Sequence, residues 1–289
     1  LATHISVERP GTLLLIGGAE DDTGPRTILR RFVALSGADE AHIGIIAVAS
    51  GYQHVVGRRY MQLFSTLGAA EVELIEITTR TQAQQPEPLA QLDRCSGVFM
   101  AGGDQLKLTA LIGGTVVEER IRRRHQSGLV VAGTSAGASA AAEHMLAYGY
   151  SGVTPRQTMM QFAPGLGLIH GVVVDQHFGA RSRTGRLITA LAHNPGLLGI
   201  GLDEDTAAEI TSDGELRVLG SGSVMIIDAR EVNVNDIYHV PYYAPFSISG
   251  LNVHILADGA RFDLQSRTTL ATPGRSTASD IQGMAGEGI

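Results

Sequence analysis

Ser135 stands at the centre of Gly133-Thr134-Ser135-Ala136-Gly137, directly after the apolar run 129–132 and ahead of a small-residue helix predicted from Ala138. A serine flanked by small residues on a strand-to-helix turn fits a nucleophile elbow. The sharp turn lifts the hydroxyl above the sheet edge and aims backbone N–H groups at the oxyanion that forms when the serine attacks a carbonyl. A plain glycine-rich turn has the same composition, so the pattern needs partners before it means acyl transfer. No Gly-Lys-Ser/Thr follows and no lysine is near, which sets aside a phosphate-binding loop.

A serine nucleophile needs a base, and the base needs a group to orient it. Of ten histidines, His177 lies two residues beyond the predicted strand 171–175, in Asp175-Gln176-His177-Phe178, at the edge where Ser135 is expected. His42 begins a strand at the opposite edge, and His125 and His193 lie near helix ends. Glu204 follows the predicted strand 198–203 and can serve as the acid, with Asp203 and Asp205 as open alternatives. The order Ser, His, acid differs from the Ser, acid, His order of ordinary α/β-hydrolases. Gly102-Gly103, ending another strand, offers the Gly103 N–H as one oxyanion donor beside that of Ala136. Just past the base, Arg181, Arg183 and Arg186 place three guanidinium groups in an otherwise acidic chain, as a carboxylate-gripping pocket would require. A solvated helix start is the plainer alternative, although the helix dipole disfavours arginines there.

These residues need strands to carry them. Residues 12–16 form a short apolar run ending in Gly17-Gly18, and Gly24-Pro25 then opens a helical stretch closed by Gly37. Strands at 42–48, 72–77, 97–100 and 129–132 alternate with helices at 58–67, 106–112 and 116–126, and the alternation continues with strand 171–175, a helix containing 186–193, and strand 198–203. Such alternation predicts an α/β fold with a mostly parallel sheet flanked by helices, with functional loops at the carboxyl ends of its strands. Two Asp-Gly pairs, Asp213-Gly214 and Asp258-Gly259, predict C-terminal β-hairpins over 207–219 and 253–264. One domain is expected over 1–265, and a disordered tail over 266–289, where Thr, Ser, Gly and Ala replace any apolar period.

The 289 residues carry a formal charge of −7, which argues against whole-surface attraction to nucleic acid or anionic lipid, and no apolar run is long enough to span a membrane. A single cysteine, Cys95, excludes an internal disulfide framework and a cysteine-based zinc site. The expected location is the cytoplasm, or outside the cell if a signal peptide precedes Leu1.

The motifs Ile16-Gly17-Gly18-Ala19-Glu20-Asp21, Ala101-Gly102-Gly103-Asp104-Gln105, Gly133-Thr134-Ser135-Ala136-Gly137-Ala138 and Asp175-Gln176-His177-Phe178, with Arg181, Arg183 and Arg186, together resemble the cyanophycinases. The resemblance runs from about Gly11 to Leu264. It implies a flavodoxin-like sheet similar to that of the class I glutamine amidotransferases, a homodimer, and release of β-Asp-Arg dipeptides from cyanophycin, a polyaspartate bearing arginine on each β-carboxyl. It also implies Ser135 as nucleophile, His177 as base and then acid, Glu204 as the orienting residue, and Gln105, Asp175, Gln176, Arg181, Arg183 and Arg186 as the substrate pocket, with no metal or organic cofactor. The rivals are an α-aspartyl dipeptidase, whose chains are typically shorter, and a non-catalytic module that holds an acidic ligand on the same fold.

Overall fold

The computed structural model of the chain describes residues 9–271. The first half is built from β1 (Leu13–Ile16), α1 (Thr27–Leu35), β2 (His42–Ile46), α2 (Gln53–Thr66), β3 (Glu71–Leu74), α3 (Pro86–Arg94), β4 (Gly97–Met100), α4 (Gln105–Ile112), α5 (Val116–Gln126), β5 (Val130–Thr134) and α6 (Ala136–Ala141). The second half has β6 (His144–Gly149), β7 (Met160–Pro164), β8 (Val172–Asp175), α7 (Thr184–His193), β9 (Leu198–Leu202), β10 (Thr206–Ile210), β11 (Glu215–Gly220) and β12 (Ser223–Asp228). After these come β13 (Val234–Asn235), β14 (Ile248–Ser249), β15 (Asn252–Ala257), β16 (Arg261–Asp263) and β17 (Thr268–Leu270).

A large sheet has the order β17-β16-β11-β10-β1-β5-β4-β2-β3. Its core β1-β5-β4-β2-β3 is parallel, and β10, β11, β16 and β17 extend it antiparallel. The central strands are apolar along their whole length because both faces are covered, as in β1, where all four residues are buried. On one face α1 and α2 turn Ile28, Leu29, Phe32, Val33, Tyr60 and Phe64 inward, and Phe32, Phe64 and Phe99 meet at centroid separations of 5.1 to 5.6 Å. On the other face Leu108, Ile112, Val117 and Ile121 from α4 and α5 share a core with strands of a second sheet.

That second sheet, β15-β12-β9-β8, corrects the expectation that β8 and β9 join the main sheet. The place beside β1 is taken by β10, with Leu15 opposite Ala208, so β8 and β9 pair in parallel with each other and β9 continues antiparallel to β12. Strand-helix alternation states the type of each element but not its neighbour. Between β9 and β10 the chain crosses from one sheet to the other through Asp203, Glu204 and Asp205. The same applies to the second predicted hairpin. Asp258-Gly259 is a turn, but β15 pairs with β12 and β16 with β11, so the chain changes sheets there. The first hairpin forms as expected, with β10 opposite β11. Thr268–Leu270 pairs with β16 and so carries ordered chain past the expected boundary at 265; the remainder of the expected tail, 272–289, lies outside the described residues.

Candidate active site

The elbow begins with its glycines. A Cβ on Gly133 would lie 2.5 Å from the carbonyl carbon of Gly137, and one on Gly137 would lie 2.9 Å from Met100 Cβ, so β5, β4 and α6 close only around small residues. Ser135 itself sits at φ 50, ψ −107, a conformation that costs a non-glycine residue about 1–3 kcal/mol. His177 (φ 48) and Asp205 (φ 45) are also left-handed, so backbone strain collects around this one place.

One loop ties the three segments together. At the end of β1 the Ile16 carbonyl accepts from Ser135 N–H at 2.9 Å, the Gly17 carbonyl from His177 N–H at 2.8 Å, and the Gly18 carbonyl from Asp205 N–H at 2.9 Å. Gly18 leaves room for the imidazole, because a Cβ there would lie 2.5 Å from His177 Nε2. A Gly18→Ala variant is therefore expected to lose at least about a hundredfold in kcat by displacing the ring, and some stability because Gly18 sits at φ 97, as steady-state kinetics and thermal unfolding would show.

Ser135 Oγ lies 3.0 Å from His177 Nε2, and His177 Nδ1 lies 2.6 Å from Glu204 Oε1. With Nδ1–H donated to the carboxylate, Nε2 is the acceptor for the serine proton. The neighbouring acids are engaged elsewhere. Asp203 accepts from Gly179 N–H and from both Ser223 donors, and Asp205 from Asp21 N–H and the Ser221 hydroxyl. Of the three acids that the sequence left open, Glu204 is the one on the imidazole. The three residues come together from two sheets, Ser135 after β5 and the others after β8 and β9.

His177 is mostly buried, and that desolvation holds its pKa below the ordinary imidazole range against the opposing hydrogen bond that its Nδ1–H donates to Glu204, with the Arg181 charge adding to the depression. The ring is thus kept neutral, the form a base needs. Activity should fall as pH drops through this lowered pKa, so the acidic limb of kcat/KM is expected on the acid side of an unperturbed histidine. Removing the Arg181 charge with Arg181→Gln should move that limb back toward neutrality, as a pH profile of the two proteins would measure.

Around this line the remaining predicted residues take different places. Gly103 is exposed, and among the described residues neither its N–H nor that of Ala136 donates to a protein acceptor. Between them in function lies Asp104, which caps α4 by accepting from Leu106 and Lys107 N–H and so fixes the turn. Gln105 donates its side-chain amide to the Leu146 and Ala147 carbonyls at 3.0 and 2.9 Å, which joins α4 to β6. Gln176 places Oε1 3.4 Å from Ser135 Oγ.

Asp175 has no exposed surface. Arg186 binds its carboxylate through Nε at 2.6 Å and also through Nη2, and Arg183 approaches at 3.4 Å while donating to the Gln176 carbonyl. Asp175 therefore stands behind the site and holds the two arginines. Burial, with Arg186 and Arg181 adding to it against the pull of Asp175, pushes the Arg183 guanidinium down to about 10, which leaves it charged at neutral pH. Arg181 is exposed.

Glu20 escaped the sequence reading. Its two oxygens accept from the Thr134 hydroxyl at 2.6 Å and the Tyr60 hydroxyl at 2.5 Å, so it braces the residue before Ser135. Its position in Gly17-Gly18-Ala19-Glu20, at the carboxyl end of a central strand, was the available signal.

A serine hydroxyl, an imidazole and a carboxylate in one hydrogen-bonded line, raised above an α/β sheet on a strained turn, form the arrangement of a serine hydrolase. The comparisons with known proteins agree. Residues 13–218 match the model of peptidase family S51. The cyanophycinase of Trichormus variabilis is 48% identical over 259 residues, covering 89% of this chain and 87% of that protein. That of Synechococcus elongatus is 43% identical over 265 residues, covering 91% and 82%. A crystal structure of a peptidase from an acI-B1 Actinobacterium shares the fold, with a TM-score of 0.67, 21% identity, and coverage of 89% of this chain and 98% of that one. The chain belongs to peptidase family S51, and it is a peptidase.

Proposed function

We propose that this peptidase degrades cyanophycin by serine-type acyl transfer, releasing β-Asp-Arg dipeptides. The observation that carries the reading is the Ser135–His177–Glu204 line in a chain 48% identical to a protein named cyanophycinase. Ser135 Oγ bonds to a backbone carbonyl carbon as its proton passes to His177 Nε2. The Gly103 and Ala136 N–H groups hold the oxyanion, and Glu204 steadies the imidazolium. The C–N bond then breaks as His177 gives its proton to the leaving amine. Water attacks the acyl-enzyme, its proton going to His177 and then to the departing serine oxygen.

The pocket combines an exposed cation, Arg181, and the buried Arg183 for substrate carboxylates with the carbonyl ends of Gln105 and Gln176 for guanidinium donors. Asp175 and Arg186 serve the same pocket from behind. The reading includes a homodimer working in the cytoplasm without metal or organic cofactor; among the described residues no helix is long and apolar enough to cross a membrane.

The test is incubation with purified cyanophycin followed by mass spectrometry of the products. β-Asp-Arg dipeptides are expected; turnover of Asp-X dipeptides with the polymer left intact would assign an aspartyl dipeptidase instead.

A further inference from the structure

Outside the pocket, the described surface carries a cluster of uncovered tyrosines. Tyr148 and Tyr150 at the end of β6 are 50% and 58% exposed, and Tyr242 and Tyr243, in the stretch before β14, are 69% and 64% exposed. Each pair meets edge to face, with ring centroids 5.6 and 4.6 Å apart. Between the pairs lies a groove of about 540 Å³ lined by Tyr150, Gly152, Val153, Arg156, Met159 and Tyr243. Arg156 joins its walls by donating to the Tyr243 carbonyl at 3.0 Å. Exposed aromatic surface of this extent marks a place where something binds.

The groove adjoins the segment that follows His177. Gly152 N–H donates to the Ser182 carbonyl at 2.7 Å and Gly185 N–H to the Gly152 carbonyl at 3.0 Å, so the groove floor is bonded to the segment that carries Arg181, Arg183 and Arg186. Phenol faces attract guanidinium groups, which lie flat on them, and a lone arginine offers a fork to a carboxylate. A polymer that bears one guanidinium and one carboxylate on every residue matches both. We propose that this groove is a remote subsite that holds arginyl side chains of the polymer away from the scissile bond, stacking guanidinium groups on Tyr150 and Tyr243 and pairing a carboxylate with Arg156. It rests on the cyanophycin reading above and adds a source of affinity that short substrates lack.

The test compares cyanophycin with the two-unit fragment (β-Asp-Arg)2, using the wild type, a Tyr150→Ala/Tyr243→Ala pair and a Tyr150→Phe/Tyr243→Phe pair. The alanine pair should raise KM for the polymer about tenfold with kcat and fragment kinetics unchanged, and the phenylalanine pair should restore the wild-type KM. Equal effects on both substrates, no effect on either, or a phenylalanine pair that behaves like the alanine pair would overturn it. So would loss of self-association in the alanine pair by light scattering, which would make the patch a contact between copies of this chain. Titrating soluble cyanophycin into the Ser135→Ala protein with and without the tyrosine changes reads binding independently of hydrolysis. A wild type that binds through the tyrosines yet cuts nothing would defeat the catalytic reading and leave the groove standing.

Discussion

Replacing Ser135 with alanine is expected to lower kcat on cyanophycin roughly 10^4- to 10^6-fold, close to what removal of a whole triad costs. The size follows from the role. Without Oγ no acyl-enzyme can form, and His177 has no proton to accept at the 3.0 Å position. The fold should survive, because the Ser135 side chain caps no helix bond and its N–H, donated to the Ile16 carbonyl, is retained by alanine. Residual turnover comes from the oxyanion donors and the pocket alone. KM should change far less than kcat, and thermal unfolding should shift little.

Asp175→Ala is expected to act through stability, by about 3–5 kcal/mol, since it strands the buried guanidinium groups of Arg186 and Arg183 without their carboxylate. Chemical denaturation should show a large fall in the midpoint. Had Asp175 lined an open pocket and met the substrate guanidinium, its loss would raise KM and leave the midpoint almost unmoved. Asp175→Asn, which keeps the shape and part of the hydrogen bonding, should fall between. The arginines also explain each other. Two cations at the start of α7 oppose the helix dipole, and Asp175, at the end of the adjoining strand, offsets the cost of placing them there.

The elbow at Ser135 could be read from five residues because an elbow is a local event: a buried strand, small neighbours and a helix start are all contiguous. His177 and Glu204 were legible for a related reason, since each follows an apolar run by one or two residues and strand ends collect at one edge. The choice among Asp203, Glu204 and Asp205 was not, because three adjacent acids differ only in where the turn aims them, and φ 45 at Asp205 is a tertiary outcome. The two-sheet arrangement was hidden for the same reason that β15 and β16 looked like one hairpin: pairing depends on which edge is free. The burial of Asp175 followed the same logic. Its spacing put it beside the arginines, but only packing decided that it would face them and not solvent.

Covalent attack by Ser135 is the central step of the proposed mechanism. Treating the active protein with a fluorophosphonate and mapping the adduct by peptide mass spectrometry measures that in one step. The expected result is a single adduct on Ser135, formed in parallel with loss of cyanophycin hydrolysis and slowed by excess polymer. Hydrolysis that persists after Ser135 is fully modified, or inactivation with the adduct on another residue, would contradict it.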